Sequence, residues 1–223
     1  MSHLIDTTEM FLKVIYELNE YGRVATRARI GDRLGQAAPS VSQTIARMER
    51  DGLLVLEPDK RISLTPLGSG MATAVMRKHR LAERLLCDVL GLAWANCHDE
   101  ACEWEHVISD EAEAAIALKL TDVARDPYGN PIPKVGHETR IPQEWIPLSE
   151  LGAGGGAVVL VAIGEIAQAI PGLLLAVWDA GIRIDGAIEV AGEGDTLRIR
   201  NAASDVFVAL PADAARNIFV TRQ

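Results

Sequence analysis

Aromatic residues, cysteines and long apolar runs are scarce in this chain. Phenylalanine, tryptophan and tyrosine make up 4% of the 223 residues, so a packed core has to be mainly aliphatic. The three cysteines cannot all pair with one another, which excludes a disulfide framework and leaves buried thiols or metal ligands. No uninterrupted apolar run reaches 18 residues, and the first residues lack the basic and apolar regions of a signal peptide. We therefore expect a cytoplasmic protein with no membrane partner.

Charge is distributed unevenly along a chain whose apolar content, 48%, is enough for two or three small packed domains. Residues 1–84 hold 13 Lys and Arg against 10 Asp and Glu, a balance of +3. The remainder holds 9 against 21, a balance of −12, and together they give the net charge of −9. A mildly basic front on an acidic body fits an N-terminal segment that contacts a polyanion.

The first 65 residues follow the pattern of a winged helix-turn-helix. The predicted elements are a helix from Thr7 or Thr8 to about residue 19, helices over residues 27–34 and 40–51, and strands over residues 53–57 and 61–65. Pro39 stands at the start of the third helix, a position that proline favours. A hairpin after three helices is typical of a module that lays its third helix in the DNA major groove.

The third predicted helix presents chemistry that suits DNA. Its apolar residues point inward, whereas amide, hydroxyl and arginine side chains point outward. Glutamine can read an adenine edge, serine and arginine can hold phosphates, and small alanines can approach thymine methyl groups. A three-helix module that packs against a protein partner is the alternative. The predicted DNA-binding residues are Thr7, Arg27, Ala28, Ala37, Pro39, Ser40, Ser42, Gln43, Arg47, Arg50 and Lys60.

A second group of residues has the chemistry of metal ligands. His98, Cys102, Glu105 and His106 stand at offsets 0, 4, 7 and 8 of one helix predicted over about residues 98–118, which places them on one face. Two imidazoles, a thiol and a carboxylate on one stripe suit a transition metal and would be costly to bury without one. A further pair, His79 and Glu83, lies four residues apart on a helix predicted to begin near residue 71. The pattern indicates a protein switched by a metal ion.

Each candidate ligand also has an ordinary structural interpretation. His79, in a basic helical surround, would usually be a solvated surface residue, and Cys102 alone would be a small buried hydrophobic residue. Met10 lies on the predicted apolar stripe of the first helix, where most methionines belong to the core. Cys87 and Cys97 fall off the ligand stripe, and we interpret them as structural thiols.

The remaining chain predicts a dimerisation region, a tether and a small β domain. Extensive apolar helical surface behind the DNA-binding module predicts a homodimer, whose two-fold axis would match a palindromic operator. A proline- and glycine-rich tether then leads to short alternating segments, including one at residues 182–184, and one short helix near residues 173–179. The predicted boundaries are 1–73 for DNA binding, 74–140 for metal binding and dimerisation, 141–156 for the tether and 157–223 for a β-barrel.

Several ungapped motifs, in order, make the chain resemble the diphtheria toxin repressor and iron-dependent regulator family along nearly its whole length. They occupy residues 6–10, 41–44, 46–53, 76–84, 104–107 and 129–133. The resemblance implies a mainly α N-terminal winged helix-turn-helix plus a helical dimerisation domain, with a C-terminal SH3-like small β-barrel. It also implies a metal-activated transcriptional repressor rather than an enzyme.

The resemblance further implies two metal sites per subunit. The primary, activating site would use Met10, Cys102, Glu105 and His106. The ancillary site would use His79, Glu83 and His98, with Glu165 and Gln168 from the SH3-like domain. Family members complete an ancillary anion site with an arginine, a serine and an asparagine. Arg80 and Asn130 match that pattern, but Asp126 replaces the serine, and its carboxylate would repel an anion or itself approach the cation.

The soft thiol and thioether favour Fe(II), Co(II), Ni(II) or Zn(II) over Mn(II). We therefore expect Fe(II) as physiological co-repressor, with Co(II), Ni(II), Zn(II) and Mn(II) binding in vitro, and a homodimer that binds palindromic operators of iron-uptake genes, as one dimer or two. A repressor of the same fold that responds to manganese or another divalent metal is the alternative. More distant alternatives are a non-haem iron enzyme, suggested by two histidines and a carboxylate, and a metal buffer or ferrous-transport accessory protein.

Overall fold

A computed structural model describes residues 2–151, 156–193 and 196–222, so residues 152–155 of the predicted tether lie outside the described residues. The chain forms two compact units. The first contains the residues up to Leu81 together with Cys102–Leu118 and Ile132–Arg140, and the second contains Ala82–Ala101, Lys119–Pro131 and the chain from Ile141 onward. The four domain boundaries given above stay predictions.

The N-terminal elements form the winged helix-turn-helix that the sequence predicts. They are α1 (Ser2–Glu20), α2 (Arg27–Leu34), α3 (Ala38–Arg50), β1 (Leu54–Leu56) and β2 (Ile62–Leu64). The two strands pair antiparallel, with Val55 opposite Ser63. A mainly aliphatic core joins the helices, and its fully buried members include Phe11, Leu12, Ile15, Ile30, Val41, Ile45 and Met48.

The predicted start of α1 at Thr7 or Thr8 is wrong, because the helix begins at Ser2. No glycine or proline stands before Thr7 to interrupt it. The helix after the wing, α4 (Pro66–Arg84), likewise begins before the predicted residue 71. Its start carries a cap that the sequence reasoning overlooked, since Thr65 Oγ1 accepts the Gly68 N–H at 3.1 Å and proline occupies the first helical position.

The single helix predicted over residues 98–118 is two helices, α5 (Cys97–Trp104) and α6 (Asp110–Lys119). Ser109 Oγ accepts the Ala112 N–H at 3.2 Å, and Asp110 and Glu111 occupy the first turn of α6, which is a strong N-terminal signature. Glu105 and His106 therefore lie in the turn between the helices. The prediction that they continue a helical stripe is wrong.

The C-terminal part of the second unit is an antiparallel sheet with short helices, of which the sequence predicts the one near residues 173–179. Its strands are β3 (Ile146–Pro147), β4 (Gly156–Ile163), β5 (Ala187–Glu193), β6 (Thr196–Asn201), β7 (Val208–Leu210) and β8 (Ile218–Arg222), in the spatial order β3-β8-β4-β5-β6-β7. Its helices are α7 (Glu165–Gln168), α8 (Leu173–Asp179) and α9 (Ala212–Ala215).

The strand predicted at residues 182–184 does not form. The Ile182 N–H instead donates to Val177 O at 3.1 Å, so buried Ile182 closes the end of α8. Strand β3 was not predicted, because two residues paired to β8 leave no alternating pattern. No helix among the described residues has both the length and the apolar character needed to cross a membrane.

Candidate metal centre and DNA-binding face

The turn after α5 carries a carboxylate into a buried cluster in the first unit. Glu105 Oε2 lies 2.7 Å from His79 Nδ1 and 2.7 Å from Lys13 Nζ. Lys13 Nζ lies 3.1 Å from His79 Nδ1 and 3.7 Å from Cys102 Sγ. An imidazole nitrogen of His79 is within 4.8 Å of Cys102 Sγ. Imidazole, thiol and carboxylate thus meet around one ammonium group, and we call these four residues the donor cluster.

Opposite charges stabilise each other in the donor cluster. Burial alone would raise the pKa of Glu105, but the Lys13 ammonium and the His79 imidazole outweigh burial and lower that pKa to about 2. Burial alone would lower the pKa of Lys13, but the Glu105 carboxylate beside it raises that pKa above its ordinary value. Glu105 is therefore held as a carboxylate, the form in which it can ligate a metal.

The surroundings of His79 and Cys102 test the ordinary structural interpretations given for these two residues. His79 is fully buried, so its interpretation as a solvated surface histidine is wrong. Cys102 is half-buried and contacts a charged nitrogen, which is a polar setting rather than the apolar one expected of a small hydrophobic residue.

One face of α1 points toward the segment that follows α5. Glu9 Oε2 lies 2.6 Å from His106 Nδ1, and His106 Nε2 lies 3.4 Å from Glu105 Oε1. Glu9, Met10 and Lys13 stand at offsets 0, 1 and 4 of this helix, which places them on one side. Met10 is 40% exposed, so its assignment to the buried apolar stripe is wrong.

Sequence reasoning missed Glu9 and Lys13 as neighbours of the predicted ligands. Glu9 and Lys13 lie one residue before and three residues after Met10, so their helical spacing places them near a predicted ligand. Charged residues on an amphipathic helix are ordinarily solvated, however, and this made the spacing easy to overlook.

The second unit brings Glu83 and His98 together. His98 Nδ1 lies 3.1 Å from Glu83 Oε1, and both side chains are buried. The Tyr128 hydroxyl accepts the His98 backbone N–H at 3.0 Å and donates to Trp94 O at 2.7 Å, which fixes the start of α5.

Glu165 and Gln168, the two residues predicted from the SH3-like domain, are both buried on the short helix α7. The Gln168 side-chain amide donates to Ile163 O at 2.6 Å. That contact ties the residue to the end of β4.

The proline-rich loop is docked on β4 within the same unit. The Asp126 carboxylate accepts the backbone N–H groups of Tyr128 and Asn130 at 2.8 and 2.9 Å and the Asn130 side-chain amide at 2.8 Å. That amide also donates to Ile163 O at 2.8 Å, and the Ile163 N–H donates back to Tyr128 O at 2.9 Å. The Asp126 carboxylate thus organises the loop from inside.

The residues that the resemblance assigns to an anion are bound by carboxylates of this chain. In the first unit the Arg80 guanidinium donates to Glu20 at 2.9 and 2.6 Å, and both side chains are buried. In the second unit Asn130 donates to Asp126, as described above. Carboxylates of the chain thus take the place of an external anion, which agrees with the presence of Asp126 where the family has a serine.

The donor types fit a transition metal. A thiol, imidazoles and carboxylates suit the later divalent ions of the first row, and a dedicated magnesium or calcium site would instead be built of oxygen atoms. Met10 on α1 and His106 beyond the donor cluster could add a thioether and a second imidazole. The donor cluster therefore brings a thiol, an imidazole and a carboxylate together, and the division of the ligands between two metal sites stays a prediction.

The predicted DNA-binding residues lie at the surface of the first unit. Val41, Ile45 and Met48 are buried on one side of α3, which turns the other side outward. Arg47 Nη2 donates to Thr8 Oγ1 at 3.3 Å, so the outer face of α3 is also tied to α1. The exposed members of the set are Arg27, Ala28, Ala37, Pro39, Ser40, Gln43, Arg50 and Lys60, and Thr7, Ser42 and Arg47 are half-buried.

Comparison with known families explains why the chain has both a cluster of metal-ligand residues and a DNA-binding face. The N-terminal DNA-binding domain of iron-dependent repressors matches residues 3–62, and the metal-binding and dimerisation domain of the same proteins matches residues 65–134. The chain belongs to the iron-dependent repressor family. The alternative of a module that packs against a protein instead of DNA is thereby overturned, and dimerisation belongs to the matched domain.

Relatives resemble this chain over 92% or more of its length. The diphtheria toxin repressor of Corynebacterium glutamicum is 46% identical over 211 residues, which covers 92% of each chain. The iron-dependent repressor IdeR of Mycobacterium tuberculosis H37Rv is 43% identical over 232 residues, which covers both chains completely. These relatives are named as transcriptional repressors, so an enzyme is not supported.

Solved structures share the fold. The IdeR of T. acidophilum has a TM-score of 0.73 and 27% identity, covering 96% of this chain and 97% of that one. A manganese-dependent transcriptional repressor in complex with manganese has a TM-score of 0.78 and 29% identity, covering 97% and 100%.

Proposed function

We propose that this chain is an Fe(II)-activated transcriptional repressor whose homodimer binds palindromic operators of iron-uptake genes. The donor cluster carries the proposal, because Lys13 and Glu9 of α1 contact Glu105 and His106 beyond α5. The opposite side of α1 packs in the core of the DNA-binding module, and Thr8 contacts Arg47 of the recognition helix α3. A change at the donors therefore has a short route to the DNA-binding face.

Two metal sites per subunit form part of the proposal. Met10, Cys102, Glu105 and His106 would hold the activating ion. The ancillary ligands would be His79, Glu83, His98, Glu165 and Gln168. A bound divalent ion would supply bonds from one centre to several chain segments, which no single side chain offers. The contact of Glu105 with His79 supports a shared boundary between the two ligand sets.

Fe(II) is the proposed co-repressor, and Co(II), Ni(II), Zn(II) and Mn(II) are proposed to bind in vitro. The thiol of Cys102 and the thioether of Met10 favour iron and the later metals over manganese. A manganese-responsive repressor is the second candidate, because a structure similar to this chain bears that description. Comparing the metal content of protein purified without oxygen with its response to each ion separates the two.

On DNA, Gln43 is proposed to read a base edge, while Arg47, Arg50 and Lys60 hold phosphates. Lys60 stands at the tip of the wing with a left-handed φ of 69°, and its side chain is exposed. A two-fold dimer would place two α3 helices in successive major grooves, and one or two dimers could occupy an operator. Such a repressor acts at the chromosome, so the proposal includes the expected cytoplasmic location.

Anaerobic fluorescence anisotropy on a palindromic promoter fragment, with Fe(II) or with chelator, tests the proposal. We expect Fe(II) to tighten DNA binding at least about 100-fold, or about 2.7 kcal/mol. Cys102→Ala should abolish that gain, whereas the matched Cys87→Ala should keep it. Operator binding that is equally tight with chelator and with Fe(II) would overturn the proposal.

A further inference from the structure

Lys13 is a buried charge placed among atoms that ligate metals. Its side chain is 8% exposed, and its ammonium lies 2.7 Å from Glu105 Oε2, 3.1 Å from His79 Nδ1 and 3.7 Å from Cys102 Sγ. A lysine needed only to neutralise Glu105 could do so from any side of the carboxylate. This ammonium instead occupies the space that the oxygen, the nitrogen and the sulfur share.

A metal ion and this ammonium cannot use those donors together. Metal bonds to oxygen, nitrogen and sulfur donors are about 2.0–2.3 Å long, so an ion on Glu105 Oε2 would enter the region that Lys13 Nζ fills. Two positive charges at that separation repel strongly where water is excluded. Binding of the ion therefore requires the ammonium to leave.

We propose that Lys13 is an internal competitor of the activating metal, whose ammonium holds the donors until an ion displaces it and thereby sets the affinity of the site. This inference rests on the proposed function, since it concerns the same ligands. Lys13 here is a positioning and selectivity residue, not a ligand.

The displaced ammonium has other carboxylates within its own helix. Glu9 lies four residues before Lys13 and Glu17 four residues after it, both within reach of a long side chain on the same side of α1. The Glu9 side chain is 21% exposed, so movement toward it brings the ammonium nearer to water. Because Glu9 also contacts His106, this movement would change the polar contacts that join α1 to the segment after α5.

If Lys13 competes with the metal, its neutral variants should lower the stability of the metal-free protein and raise its affinity for metal. Replacing Lys13 by an uncharged residue removes the ammonium that stabilises the buried Glu105 carboxylate most strongly, so the metal-free protein becomes less stable. The same change removes the competitor, so metal binds more tightly. A purely structural lysine would lower stability and leave the affinity unchanged or weaker.

The test uses metal-free full-length protein and Co(II), with affinity measured by isothermal titration calorimetry at fixed pH. Lys13→Met and Lys13→Gln should bind Co(II) at least about tenfold more tightly than the parent, or about 1.4 kcal/mol. Lys13→Arg, which retains the charge, should show no gain. Lys78→Met is the matched control, because the Lys78 ammonium pairs with the exposed carboxylate of Asp110 and not with Glu105. Co(II) affinity that is unchanged or weaker in both neutral variants would overturn the inference.

A second measurement needs no substitution. Acetylation of lysines by an amine-reactive reagent, followed by peptide mass spectrometry, reports whether Lys13 leaves its buried position. We expect Lys13 to be labelled faster with saturating Co(II) than without it, while Lys78 is labelled equally in both. Equal protection of Lys13 with and without Co(II) would contradict displacement, even if the neutral variants do not fold.

The outcome of Cys102→Ala separates this inference from the proposed function. If that variant binds Co(II) as well as the parent does, the proposed ligand set fails. If it loses Co(II) while the neutral Lys13 variants gain no affinity, the ligand set stands and only the role of Lys13 fails.

Discussion

Glu105 in the first unit and Asp126 in the second are buried carboxylates that are stabilised in different ways. In the first unit, charge meets charge: Lys13 pairs with Glu105, and Arg80 pairs with Glu20. In the second unit, the buried carboxylate of Asp126 is surrounded by neutral donors, two backbone N–H groups and a side-chain amide. A cation that pairs with a carboxylate can be exchanged for another cation. Backbone donors are fixed by the chain and cannot leave one by one.

This difference assigns separate roles to the two regions. The ion pairs of the first unit could exchange one cation for another, which would suit control by a metal ion. The neutral network of the second unit fixes the proline-rich loop to β4 through Asn130 and Ile163. We therefore expect substitutions in the two regions to differ in how much folding stability they remove and in whether a second substitution restores it.

Arg80→Met should have the largest effect on stability, because it leaves the Glu20 carboxylate buried without its guanidinium. The two side chains are 0% and 1% exposed. Breaking a buried pair in this way costs about 3–5 kcal/mol. Urea unfolding of the metal-free protein measures the loss.

The double variant Glu20→Leu with Arg80→Met is the control, because removing both charges should recover most of the lost stability. If the single substitution cost less than about 1 kcal/mol, or if the double variant were no better, buried charge pairing would not be what stabilises this part of the first unit.

Gly129→Ala should have the next largest effect and act on the neutral network. Gly129 has a φ of 93°, and an added Cβ would collide with the carbonyl oxygen of Val161 in β4. Positive φ and a backbone clash together should cost about 3 kcal/mol. Faster hydrogen exchange of the Ile163 amide, which donates to Tyr128 O, would report release of the loop from the strand.

Gly172→Ala provides the matched control. Gly172 also has a positive φ, 76°, but no atom would lie within 4 Å of its added Cβ. It should therefore cost only about 1 kcal/mol, the strain of the backbone alone. Equal losses for the two glycine substitutions would mean that the close approach to β4 contributes nothing.

Tyr16 provides a smaller effect that depends on pH. Burial and the nearby Glu20 carboxylate raise the pKa of Tyr16 to about 12, although the Arg80 guanidinium opposes them. Because the folded-state pKa lies above the unfolded value near 10, the stabilisation is complete below pH 10 and is lost as the pH rises from about 10 to 12. The loss should reach about 2 kcal/mol.

Urea unfolding at pH 9 and pH 11.5 measures this dependence, with Tyr16→Phe for comparison. The phenylalanine variant should lose less stability over that interval, since it has no proton to release. If both proteins lose the same amount, Tyr16 is not linked to the charges of the first unit as its contacts indicate.

Local patterns allowed most of the DNA-binding module to be predicted. The buried positions of α3 recur every three or four residues, and residues 27–34 were assigned with their final limits. Helix boundaries failed where a short signal was overlooked, such as the Thr65 cap of α4 and the Ser109 cap of α6.

The donor cluster was only partly predictable, for a physical reason. Its ligand types were visible in the sequence, but Glu105 reaches His79 because α5 ends at Trp104 and the chain turns. The position of Lys13 depends on the packing of α1 against that turn, which no local spacing encodes. Contacts between residues distant in sequence are set by tertiary packing, and so they appear only once the elements are assembled.

Lys78→Met should have the smallest effect and is the sharpest test of burial. Lys78 Nζ lies 2.8 Å from Asp110 Oδ1, almost the same separation as that between Lys13 and Glu105, but the Asp110 side chain is 94% exposed. The hydrogen bond from Lys78 lowers the pKa of Asp110, yet water solvates this exposed carboxylate whether or not it is paired. We therefore expect no change in Tm beyond experimental error, whereas Lys13→Met should lower the Tm of the metal-free protein clearly. If the two substitutions lowered Tm equally, distance alone and not exclusion of water would decide the strength of these pairs, and the ammonium of Lys13 would have no special hold on the donors.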